Sequence, residues 1–332
     1  MLTGTATSKA KLFASGAGAG LIYGLVMRLG VRLFSDSHLF VVMSIGFVFL
    51  VPFAMGFISI YWIERREQQG FAIWVFLPWL VVLAGTLAAM LALWEGAICA
   101  ALFFPIAIVF ASLGGIVGGF AARGKSATPT RNALIGCVLV LPLLVTPVES
   151  RIFLRYEIRQ VQTSIDMHAP SAVVWRNIES VRAIQRDELT PSWTRRIGFP
   201  APVEATLSHE GVGGVRHATF AGGLLFIETV DVWQPDRRLA FSIHAETTQI
   251  PAATLDEHVR VGGRFFDVLR GEYVIEELQN GDTRPHLSSQ QRVSTDFNWY
   301  ARLWTDAIMR DTQRTILRVI KNRCEAEATN SN

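Results

Sequence analysis

Hydrophobic positions along the chain follow two regimes. Up to about Val148 they run together. Residues 12–34, 39–62, 71–94 and 97–121 are almost unbroken apolar stretches, and a shorter fifth runs from Ala133 to Val148 through Pro142 and Pro147. Bilayer hydrocarbon is about 30 Å thick and a helix rises about 1.5 Å per residue, so about 20 apolar residues span it. Lipid offers no partner for backbone N–H and C=O groups, so these stretches are expected to be helices. The pattern predicts an α-helical transmembrane bundle of about five spans in residues 1–150.

From Arg151 the rhythm changes. Ile158, Val161, Thr163 and Ile165 fall in an alternating segment that predicts a strand, and Pro170 and Ser171 open a helix carrying Val174, Trp175 and Ile178. Alternation and turn residues then predict strands near 202–209, 214–221, 224–234, 238–246, 256–262, 264–278 and 285–295. Their short connections favour antiparallel neighbours. A long amphipathic helix is expected over about 297–323, with Tyr300, Leu303, Trp304, Ala307 and Ile308 at helical spacing, and residues 326–332 as a frayed tail. One compact solution is a sheet curved around that final helix, which leaves space for a cavity between them.

Charge separates the same two halves. Residues 1–148 carry 9 basic and 4 acidic side chains, too few for a solvated surface, whereas the remainder carries 22 and 24. The near-balance of the second half gives no basic field for nucleic acid. Within the first half, five spans would put Lys9, Lys11, Arg65, Arg66, Arg123, Lys125 and Arg131 on one side and Arg28 and Arg32 on the other. Seven against two assigns the first side to the cytoplasm. With five spans the C-terminal half is then extracytoplasmic; if the fifth stretch does not cross, it is cytoplasmic. The expectation is therefore a multi-pass protein of the cell membrane. Gly16, Gly20 and Gly24, and the pairs Gly114/Gly118 and Gly115/Gly119, predict close helix packing. Arg28 reads as a helix-end side chain reaching for the interface, and Glu95 as part of a hairpin tip.

The segment Ile165-Asp-Met-His-Ala-Pro-Ser-Ala-Val-Val-Trp175 resembles the opening signature of the SRPBCC superfamily, the START-like or helix-grip group of polyketide cyclase and lipid-transport domains. Residues 230–243 resemble that group's central hairpin, and 271–278 with the terminal helix resemble its later part. The resemblance covers about 155–325. It implies an α+β helix-grip domain over 151–325 that shares a cavity with the group but no catalytic motif.

Candidate chemistry follows from residue types. Trp193, Phe220, Phe226, Phe241, Phe265, Tyr273, Tyr300 and Trp304 supply aromatic surface suited to a hydrophobic ligand, although any one of them is more often simply core. His217 and His244 in strands, and Asp256 beside His258, are the acid/base candidates. There is no HExxH, paired Cys/His spacing, GxGxxG or P-loop, so neither metal nor cofactor is expected. Three functions stay open: membrane-anchored binding of a hydrophobic or lipid-like molecule, a polyketide cyclase- or dehydratase-like enzyme, and a membrane-tethered sensor or assembly module.

Overall fold

The computed structural model describes residues 2–34, 41–124, 128–152, 156–246, 261–279 and 281–330. The chain divides into two compact units, Met1–Leu154 and Arg155–Asn332.

The first unit is helical. It contains α1 (Leu2–Leu33), a π-helical turn (Gly46–Leu50) leading into α2 (Val51–Glu64), α3 (Phe71–Leu91), α4 (Ala97–Arg123) and α5 (Thr128–Ile152). Five of its segments, 8–33, 46–64, 71–91, 97–123 and 132–149, are long and apolar enough to cross a membrane. The fifth stretch is one continuous helix through Pro142 and Pro147.

Small residues set the spacing of this bundle. A Cβ on Gly114 or Gly118 would run into the backbone of Phe53 or Phe57 on α2, and one on Gly115 or Gly119 would meet Trp74 on α3. Gly16, Gly20 and Gly24 pack α1 against Ile63, Ser59 and Met55 in the same way.

Polar pairs close both ends of the bundle. At one end the buried Glu64 accepts from Trp74 Nε1 (2.9 Å), the Gln69 backbone N–H (2.9 Å) and Arg123 Nε (2.7 Å), while Lys9 pairs with Glu67 at 2.8 Å. At the other, Arg28 does not reach outward as its position suggested. Its Nε donates to Glu95 at 2.6 Å and both side chains are largely enclosed, because a charge at that depth is stabilised more by a fixed carboxylate than by a distant headgroup.

The second unit carries a seven-stranded antiparallel open sheet and a long C-terminal helix. Its strands are β1 (Glu157–Ser164), β2 (Pro202–Leu207), β3 (Val215–Phe220), β4 (Leu224–Gln234), β5 (Arg238–Glu246), β6 (Phe266–Glu277) and β7 (Thr283–Val293), in the order β1-β7-β6-β5-β4-β3-β2. Helices α6 (Ser171–Glu179) and α7 (Trp193–Arg196) lie between β1 and β2, and α8 (Asn298–Asn330) ends the chain. Residues 256–260 of the expected 256–262 strand lie outside the described residues. Register shifts at Val230/Val232 and Val268/Arg270 mark bulges, which bend the strands that carry them.

Helix α8 lies against the inner face of the sheet. Arg159 on β1 holds Asp306 through Nη2 at 2.7 Å, and Thr163 donates to Gln313 at 2.8 Å. Further along, Lys321 donates to the Asp166 carbonyl at 2.7 Å and Glu325 accepts from the His168 backbone at 3.0 Å. The helix thus runs from the Glu157/Val293 end of the sheet to the Ser164/Thr283 end. At that second end α6 inserts Val174, Trp175 and Ile178 beside Leu317, Ile320 and Cys324 to form a filled core. Ala328 packs on it too, so α8 stays attached close to its last described residue.

Candidate functional site

The core does not fill the other half of the sheet. A cavity of about 120 Å³ lies between the inner face and α8. Phe220, Phe226, Phe266 and Val268 from the strands and Ile308 and Met309 from α8 supply much of its apolar wall. The rings of Phe220 and Phe226 meet edge to face with centroids 5.3 Å apart.

One ionic group interrupts this wall. Arg216 on β3 and Glu228 on β4 sit directly opposite each other in the ladder, both point inward, and their side chains are only 4% and 8% exposed. Arg216 Nη1 donates to Glu228 Oε2, and the guanidinium also lies 5.5 Å from the centre of the Phe241 ring. Tyr273 on β6 completes the group, its phenol interacting electrostatically with the Arg216 guanidinium. Burial raises the Glu228 carboxyl above its ordinary range, against the pull of Arg216. Burial likewise pushes the Tyr273 phenol up to about 12, with the Arg216 charge opposing it. The guanidinium stays charged, since Glu228 and Tyr273 outweigh the cost of its burial.

The aromatic candidates divide. Phe220, Phe226, Phe241 and Tyr273 line the cavity. Trp193, Tyr300 and Trp304 do not; they form a separate ring cluster at the start of α8, with Trp193–Trp304 and Tyr300–Trp304 centroids 6.3 and 6.2 Å apart. Phe265 is also outside the lining and lies under the Arg264 guanidinium, while its neighbour Phe266 takes the cavity position.

Neither strand histidine faces the cavity. His217 and His244 are exposed, both opposite Ile227, on the outer face of the sheet. Successive side chains alternate between faces, so the inward position beside His217 belongs to Arg216. Asp256 and His258 lie outside the described residues.

Arg216 and Glu228 were not among the sequence candidates, yet the chain carried a signal for them. Arg216 shares its phase with Ala218 and Phe220, and Glu228 with Leu224, Phe226 and Val230. A charge in the apolar phase of each of two neighbouring strands marks an inward ion pair.

No family model matches the chain, and no curated protein matches it. Solved structures do. An uncharacterised protein from Rhizobium leguminosarum is 16% identical, with 52% of this chain and 97% of that one covered, at a TM-score of 0.32. DynU16, a protein of the dynemicin biosynthetic locus, is 18% identical over 46% of each chain at a TM-score of 0.25. Aha1 from Colwellia psychrerythraea is 13% identical, with 50% and 96% covered, at 0.26. None of these likenesses assigns a function to this chain.

Proposed function

We propose that this chain is a multi-pass membrane protein whose second unit, a helix-grip domain of the SRPBCC/START-like type, binds a compact hydrophobic molecule. On the charge asymmetry of its loops, that unit is extracytoplasmic. The observation that carries this reading is the apolar cavity between sheet and α8, interrupted by the buried Arg216–Glu228 pair. An engineered apolar cavity of about 150 Å³ accepts benzene, so about 120 Å³ suits one ring or a short acyl segment rather than a whole lipid. Each buried methylene contributes about 0.8 kcal/mol. Arg216 and Glu228 neutralise each other, and the half-buried Glu204 also lines the space, so a neutral ligand fits better than a carboxylate.

A second reading, a cyclase- or dehydratase-like enzyme, is favoured by one feature. Glu228, raised by burial, and the Tyr273 phenol stand in the wall of the cavity, where a carbonyl substrate would meet them.

Occlusion tests the binding reading. Ala218 is a buried, cavity-lining residue on β3, and Ala218→Phe fills the space at a cost of about 1–3 kcal/mol from overpacking. The full chain in liposomes is photolysed with a short alkyl diazirine and its peptides are mapped. Label is expected on Ile308 and Met309 and is lost in the variant, while label on exposed residues of α3 such as Leu80 and Leu87 is unchanged. Absence of cavity label in the parent chain, or its persistence in the variant, contradicts the proposal.

A further inference from the structure

The second unit has two unlike ends, and its first strand, β1, begins at one of them. Helix α5 ends at Ile152 and β1 begins at Glu157, five residues further on. Glu157 is paired with Val293, and Val293 with Phe266. The same end of the sheet holds the β4 start opposite Glu246 and the β2 start opposite Phe220. Helix α8 begins there as well, five residues after Val293.

Large apolar side chains lie exposed around this end. Tyr156 is 69% exposed, Ile158 43%, Trp299 53% and Leu303 59%. Arg264 and Arg302 are exposed beside them. From Asn298 to Leu303 the helix rises about 7.5 Å, comparable with the depth of one headgroup layer, about 5–8 Å. Tyrosine and tryptophan favour that layer, and arginine can place its stem in it while bonding phosphate. The cavity occupies the same half of the domain: Pro202, Phe220 and Phe266 in its lining are terminal residues of their strands at this end.

We infer that this end of the domain is a lipid-contacting face, seated in the headgroup layer through Tyr156, Ile158, Trp299 and Leu303. The partner is the bilayer surface, and the seating brings the hollow half of the domain next to the source of an apolar ligand. The inference rests on the proposed membrane anchoring.

The experiment uses the full chain in liposomes, with Cys99 and Cys137 replaced by alanine. Cys324 can stay, because it is fully buried and burial pushes its thiol up to about 12. An environment-sensitive NBD fluorophore is attached in turn at Tyr156→Cys, Leu303→Cys, Val212→Cys and Leu80→Cys. Val212 is 68% exposed in the β2–β3 turn at the opposite end of the sheet, and Leu80 is 63% exposed in the middle of α3. At 156 and 303 the emission is expected to shift to shorter wavelength and to lose intensity with doxyl-labelled lipid, while 212 behaves as in water. Water-like emission at 156 and 303, with quenching at 80, overturns the inference alone. Lack of quenching at 80 overturns the anchoring beneath it. A blue shift at 303 without quenching by lipid shows a protein surface there, such as a second copy, and also overturns the inference.

Discussion

Glu228→Gln is expected to destabilise the second unit by about 3–5 kcal/mol, because it leaves the Arg216 guanidinium charged, buried and without its counter-ion. At about 2–4 °C per kcal/mol for a unit of this size, its unfolding midpoint falls by about 6–20 °C. The amide preserves shape, so the loss reports charge rather than packing. The double variant Arg216→Met with Glu228→Leu removes both ions and their desolvation cost together, and is expected to match or exceed the parent in stability. Limited proteolysis of the full chain over a temperature series measures both variants on the second unit alone. A shift below about 2 °C for Glu228→Gln would mean that water reaches the pair and that the cavity is not the apolar space described.

Gly114→Val is expected to be the most damaging single change in the helical unit. The first atom of the new side chain already overlaps the Phe53 backbone on α2, and a backbone cannot rotate away as a side chain can. Overpacking typically costs about 1–3 kcal/mol, and a clash with a helix backbone lies above that range because α2 and α4 must separate along the seam that Gly118 shares. The control is Gly136→Ala on α5, where an added Cβ meets nothing within 4 Å and helix propensity alone contributes up to about 1 kcal/mol of stability. Size-exclusion profiles and thermal melts of the purified chains in one detergent decide the matter. A monodisperse Gly114→Val chain melting with the parent would contradict the packing.

These two sites differ in how far the sequence announced them. Glycine spacing at Gly114 and Gly118 pointed directly to a helix contact, because only a missing side chain permits backbones that close. Scarcity of charge made the apolar helices legible, and alternation made the described strands legible almost to the residue. The ion pair was harder to read because residue type alone does not say which face of a strand a side chain occupies. His217 offered familiar acid/base chemistry, but its phase placed it outside, while Arg216 beside it was inside. Pairing of β3 with β4, which brings Arg216 against Glu228, is a tertiary fact that neither strand carries alone.

The aromatic candidates on α8 show a related limit. Tyr300, Leu303, Trp304 and Ile308 keep helical spacing, yet the surface turned to the cavity is the one bearing Thr305, Ile308, Met309 and Thr312. The first turns of the helix present apolar groups in more than one direction, and periodicity does not say which direction meets the sheet. A similar limit applied to Arg28, whose partner Glu95 is 67 residues away in sequence and becomes a neighbour only when the helices pack.

The central claim is that the space between the sheet and α8 holds a compact apolar molecule, and mass spectrometry of what the purified full chain retains tests it most directly. A neutral small molecule of about one ring or a short chain is expected, bound near one per protein and displaced by Ala218→Phe. Extracts containing only detergent and bulk lipid, identical for parent and variant, would contradict it.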